Sequence, residues 1–316
     1  MRQNLGKLST SSGLGAILLW SVTFAFARSL SEKVGPLTAG AAAYLIGGLF
    51  CVLRLGCSPK PLTRLFRLPR AYLFGCGSLF IINTTTTYLA VGRARDREQL
   101  LEIALVNYLW PALTILFSLQ LLKKRCSFWL LPGTALALTG VFLVMTQGAG
   151  FSWVSLREHL QVNPGAYALA MAAAVSWALY SNLARRWSGP ESGGAVELFL
   201  PATGLVLLAL RLATTEPGNW TGQAIGEASG LAAVTGLAYV LWDFAMRKGN
   251  LLLVAACSYF TPLLSTVVSC IYLKVSPGPK LWIGCLLLVS GSIITWCSVS
   301  ERLLPNGVQA HHTGRD

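Results

Sequence analysis

The chain has 316 residues, 54% of them hydrophobic and only 12% charged, with a formal net charge of +13. A soluble domain carries about a quarter charged residues, so a soluble globular protein is excluded; the charges cluster between apolar stretches of about 20 residues, each able to cross a bilayer core of roughly 30 Å as a helix. The basic excess reads as loop residues that orient a membrane protein, not as a nucleic-acid surface.

Ten apolar segments follow in chain order, at about 12–31, 36–54, 70–91, 98–121, 127–147, 164–186, 194–213, 227–247, 250–273 and 280–300. The first, "GLGAILLWSVTFAFARS", contains Ala25-Phe26-Ala27, which mimics a signal-peptide cleavage site. Its full length and its counterpart in the second half mark it as a retained span. The third holds a polar run, Asn83 to Tyr88, "NTTTTY", too long to face lipid. The fourth carries Glu102 in its first turns and then "VNYLWPALTILF", Val106 to Phe117. The sixth carries Trp177 and Tyr180; the eighth carries Tyr239, Trp242 and Asp243. The ninth repeats the proline motif as "CSYFTPLLS", Cys257 to Ser265.

Assigning loops to alternate sides puts sixteen Lys and Arg on the side of the termini and nine on the other. That excess predicts cytoplasmic termini, including a tail at 303–316. The arginines of "RARDRE", 93–98, run against the rule, only partly offset by Asp96 and Glu98.

A single offset of 151 carries Asn107-Tyr108-Leu109-Trp110-Pro111 onto Ser258-Tyr259-Phe260-Thr261-Pro262, Gly133 onto Gly284 and Gly140 onto Gly291. At a slightly different offset, Trp20 and Arg28 fall on Trp177 and Arg185. The chain thus reads as two repeats, 1–150 and 160–302. Five spans per repeat is an odd number, so the halves must be inverted in the membrane. That pattern accompanies a central substrate site with alternating gates.

Proline inside a helix removes a donor and clashes with the carbonyl four residues back. For Pro111 that residue is Asn107, and for Pro262 it is Ser258. In lipid a freed carbonyl must find a partner, so each motif is expected to open a polar notch toward protein or a cavity. A packing kink is the alternative. Trp20, Trp110 and Trp177 sit mid-span, outside the interfacial belt that accounts for Trp129, Trp153, Trp187, Trp220 and Trp282. With Asn83, Tyr88, Asn107, Tyr108, Tyr180, Tyr239, Trp242, Ser258 and Tyr259 they are the candidate substrate-binding residues. Together they suit a flat apolar ligand with a small polar end; core packing is the competing reading of each.

Glu102 and Asp243 are possible coupling carboxylates. Their structural alternatives are an i,i+4 pair of Asp243 with Arg247 and a pairing of Glu102 with an arginine of 93–97. Gly133, Gly140, Gly284 and Gly291 predict close helix packing, and Gly226–Gly230 is a bare GxxxG. The eight cysteines form no CxxC pair, and His159, His311 and His312 lie in a loop and the tail. No metal, cofactor or catalytic motif is expected, and no nucleotide-binding domain is present.

Ten spans, paired repeats, "VNYLWPALTILF" and "SYFTPLLS" resemble the drug/metabolite transporter superfamily with EamA-type repeats. The resemblance extends over nearly the whole chain. It implies an all-α polytopic protein of ten transmembrane helices, embedded in the lipid bilayer of a bacterial inner membrane. It also implies export of aromatic amino acids by alternating access. The positions that match its motifs are Asn107, Tyr108, Trp110, Pro111, Trp177, Ser258, Tyr259 and Pro262. Asp243 departs from an asparagine in the family pattern. An exporter of aromatic cations, or a channel for small amphipathic solutes, stays open beside the amino acid exporter.

Overall fold

Residues 2–56, 68–146, 151–189, 194–273 and 278–300 are described in the computed structural model, and nearly all of them are helical. Lys60, Arg64, Arg67, Lys274, Arg302 and Arg315, which are among the basic residues counted to orient the chain, lie outside the described residues, as does the tail 303–316.

Helix α1 spans Arg2–Val34 and α2 spans Pro36–Gly56, with Gly35 alone between them. Gly35 has φ +88°, and a Cβ there would stand 2.5 Å from Glu216 Cβ, so the corner requires glycine. A π-helical segment, Ala71–Cys76, runs directly into α3, Gly77–Gly92. Helix α4, Arg97–Asn107, starts where the Asp96 carboxylate accepts from Gln99 N at 2.7 Å. Then come α5 (Trp110–Leu121), α6 (Leu130–Met145), α7 (Trp153–Val162) and α8 (Pro164–Trp187). The second half continues with α9 (Val196–Leu212), α10 (Gly222–Lys248), α11 (Leu251–Cys257), α12 (Phe260–Leu273) and α13 (Pro279–Cys297). Proline opens α2, α8 and α13, where its missing N–H removes no intrahelical bond. The only strands among the described residues are β1, Arg125–Cys126, and β2, Val299–Ser300, paired antiparallel.

Segments 98–121 and 250–273 are each interrupted at the proline motif, at Tyr108-Leu109 and at Ser258-Tyr259, and Glu98–Leu121 still runs as one membrane-length stretch. One sequence expectation is corrected here. The stretch read as a loop at 148–163 contains α7, bent 97° from α8. Among the described residues, four helical stretches are long and apolar enough to cross a membrane: Pro36–Leu53, Glu98–Leu121, Gly222–Lys248 and Pro279–Cys297; α7 with α8 makes a fifth if the bent pair is one span. The chain is an all-α, multi-pass membrane protein.

Helix α1 packs on α10, α8 on α3, α2 on α9 and α6 on α13. The α6–α13 contact is made by the predicted glycines: a Cβ on Gly140 would lie 2.7 Å from Gly284 O, and one on Gly291 would lie 2.7 Å from Gly133 O. Gly226 and Gly230 meet nothing within 4 Å, so that GxxxG is not a packing site.

Candidate functional site

Nine rings from seven helices interlock at the centre of the bundle. Trp20 of α1 lies 5.8 Å from Trp177, 5.6 Å from Tyr239 and 4.9 Å from Trp242. Trp177 of α8 stacks on Tyr180 at 5.0 Å and on Trp242 at 5.9 Å. Trp110, at the start of α5, meets Trp242 edge-on at 5.4 Å. Phe80 of α3 closes the group against Tyr239 at 4.8 Å and Tyr180 at 5.6 Å, with Tyr44 of α2 and Phe199 of α9 beside it. Such edge and offset pairs are the favoured ring geometry, each contributing about 0.5–1.5 kcal/mol beyond burial. These rings present π faces and few polar groups. One polar group is the hydroxyl pair Tyr44 Oη···Tyr239 Oη at 2.6 Å, with Thr84 Oγ1 3.4 Å from Tyr44 Oη. Another is Trp242 Nε1, buried without a hydrogen-bond partner.

One edge of the cluster borders a buried carboxylate. Asp243 Oδ1 accepts from Tyr72 Oη at 2.7 Å and Tyr180 Oη at 2.9 Å, and Oδ2 accepts from Arg247 Nε at 2.7 Å. Asp243 is 1% exposed and Arg247 7% exposed. Arg185 Nη1 donates to Arg247 O at 2.8 Å and its Nη2 to Gly249 O, tying α8 to the end of α10. The i,i+4 pair anticipated from sequence is present, and two tyrosines strengthen it. Tyr72 is held there by the π-helical turn; such turns are rare and concentrate at functional positions.

The two helix breaks do different things. Trp110 enters the central rings, whereas Tyr108 and Tyr259 pack into a second buried cluster with Val141, Val144, Leu281 and Leu288, against α6 and α13. Asn107 Oδ1 and Tyr259 Oη are buried without partners, and Ser258 Oγ bonds back to Ala255 O at 2.6 Å. Pro111 is buried at the start of α5, and Pro262 is buried in the first turn of α12. Asn83 Nδ2 donates to Ala173 O at 2.9 Å and so ties α3 to α8. Tyr88 lies 6.3 Å from Tyr44, at the rim of the cluster.

The described partners of Glu102 come from α7 and α8, while the Arg97 side chain lies outside what is described. Glu102 Oε2 accepts from Tyr167 Oη on α8 and lies 3.0 Å from His159 Nδ1 on α7. His159 is therefore part of a polar cluster, not a loop residue. Sequence reading also missed Tyr44, Tyr72, Phe80 and Phe199. Each stands in an ordinary apolar stretch, so only the packing reveals its neighbours. Among the described residues no group of three or more His, Cys, Asp or Glu could hold a metal ion.

The model of the EamA-like transporter family matches residues 9–146 and 164–297. The chain is 30% identical over 289 residues to the aromatic amino acid exporter YddG of Escherichia coli strain K12, covering 91% of this chain and 96% of that protein. It is 31% identical over 293 residues to the protein of the same name from Ancylobacter novellus, covering 90% and 96%. A solved crystal structure superposes with a TM-score of 0.76 at 28% identity, covering 95% of this chain and 100% of that one.

Proposed function

This chain belongs to the EamA-like transporter family, and on that premise we propose that it exports aromatic amino acids across the bacterial inner membrane by alternating access. The observation that carries the reading is the central ring cluster, drawn from both halves of the chain and fed by Trp110 at one helix break. An aromatic side chain can replace ring–ring contacts there with equivalent ones. The relatives named for aromatic amino acid export support that cargo.

The proposed frame is ten transmembrane helices in two inverted five-helix repeats, 1–150 and 160–302, with both termini cytoplasmic. The two matched segments, 9–146 and 164–297, support the division. Reciprocal contacts support the inversion. Gly140 faces Gly284 while Gly291 faces Gly133, and these pairs exchange under the offset of 151. Helix α1 on α10 likewise exchanges with α8 on α3. A two-fold relation requires such exchange.

Cation export is the weaker reading, because Asp243 already has Arg247, Tyr72 and Tyr180 as partners. The test is counterflow: proteoliposomes loaded with unlabelled phenylalanine should accumulate labelled phenylalanine saturably. Passage without counterflow means a channel. An aromatic cation that exchanges while phenylalanine does not means a different cargo.

A further inference from the structure

We propose that Glu102, His159 and Tyr167 form a proton-binding site, separate from the ring cluster, that takes up and releases one proton per transport cycle. The proposal rests on the carrier reading above and adds the ion that drives it.

The Glu102 side chain is fully buried, and its Oε1 has no hydrogen-bond partner. A carboxylate at that depth is unfavourable while it is charged and incompletely bonded. Tyr167 donates to Oε2, and His159 Nδ1 lies 3.0 Å from the same oxygen. The other face of the imidazole, Nε2, lies 3.5 Å from Asp96 Oδ2, whose side chain is 50% exposed. One ring thus stands between a carboxylate open to water and one that is sealed. That is the arrangement of a proton relay. A proton arriving from Asp96 adds to His159 Nε2, the Nδ1 proton passes to Glu102 Oε2, and the ring is left neutral. Release runs the same steps backwards, and only N–H and O–H bonds change.

On α7 the charged neighbours of His159 are Arg157 and Glu158, both exposed. On α4 itself, Glu98 and Gln99 are adjacent, and Gln99 Nε2 is buried and unpartnered. Arg95 approaches through its backbone N–H, which donates to Gln99 Oε1 at 2.9 Å. Helices α3 and α6 also pack on α4. The sequence of α6 contains no titratable side chain, and that of α3 contains only Tyr88, which is engaged with Tyr44. The site has a direct route to the transport path. Helix α4 ends at the break five residues after Glu102, and Tyr167 shares α8 with Trp177. Neutralising Glu102 alters the attraction that holds α7 and α8 against α4, at the base of the helix that carries Asn107.

The experiment traps a pH-sensitive dye in proteoliposomes and follows labelled phenylalanine and protons in the same vesicles. Wild type should show counterflow and phenylalanine-dependent proton movement. Glu102→Gln should keep counterflow and lose proton movement. His159→Gln, which leaves the Tyr167–Glu102 bond in place, should slow proton movement and spare counterflow. A structural anchor alone would not separate the two signals. Undiminished proton movement in Glu102→Gln overturns the proposal, as does wild-type counterflow with no proton movement or with dependence on sodium instead. If Glu102→Gln does not reconstitute, undiminished proton movement in His159→Gln overturns it. Wild type without any counterflow removes the carrier reading itself, and the proposal with it.

Discussion

Trp177→Ala is the most informative single change, because Trp177 touches more of the ring cluster than any tryptophan beside it. Its centroid lies 5.8 Å from Trp20, 6.0 Å from Phe80, 6.4 Å from Trp110, 5.0 Å from Tyr180, 5.6 Å from Tyr239 and 5.9 Å from Trp242. Removing a buried tryptophan typically lowers stability by about 3–5 kcal/mol, so transport must be normalised to protein that stays monodisperse after purification. For an aromatic substrate, losing one ring face removes about 1 kcal/mol of pairing, which raises the half-saturation concentration about fivefold. Trp177→Phe keeps a ring face and should stay within about twofold of wild type. Trp153→Ala removes a ring that is 71% exposed and should change nothing. The assay is labelled phenylalanine counterflow over a concentration series. A folded Trp177→Ala with wild-type half-saturation would refute the assignment of the ring cluster as the substrate site.

Three further outcomes are expected. A Cβ on Gly140 would stand 2.5 Å from Leu288 N, so Gly140→Leu should overpack the α6–α13 seam by at least about 1–3 kcal/mol; thermal unfolding in detergent should show a lowered midpoint, while Gly226→Ala, with open space around it, leaves the midpoint unchanged or slightly raised. Arg247→Met strands the buried Asp243 carboxylate and should cost about 3–5 kcal/mol, with much of the loss recovered in Arg247→Met/Asp243→Asn, measured by the same unfolding assay. In a cysteine-free background, Asn107→Cys should react with an aqueous thiol reagent faster than Ser258→Cys, because Asn107 is half-buried and Ser258 fully buried. Full protection of both positions, with and without phenylalanine, would count against the breaks lining a pathway.

Much of the architecture is a consequence of composition and period. Apolar stretches of bilayer length and prolines at related positions require helices that span and break, whatever their neighbours do. Glycine spacing marked the α6 and α13 faces correctly, because only a residue without a Cβ permits backbones to approach that closely. Mid-span tryptophans stood out because they were far from the interface where tryptophan is expected. What sequence could not give was the identity of partners. Tyr72, Phe80 and Phe199 look like ordinary span residues until helices from both halves bring them to the ring cluster. For Glu102 the sequence pointed only to nearby arginines and gave no sign of His159, 57 residues away, which α7 brings to the start of α4. Tyr108 and Trp110 are two residues apart yet point into different clusters, since the chain turns between α4 and α5. Local patterning decides which segments become helices, where they are interrupted and the i,i+4 pairing of Asp243 with Arg247; the direction in which a ring faces, and the partners that Tyr72, Tyr180 and His159 bring to buried carboxylates, depend on contacts made across the whole chain.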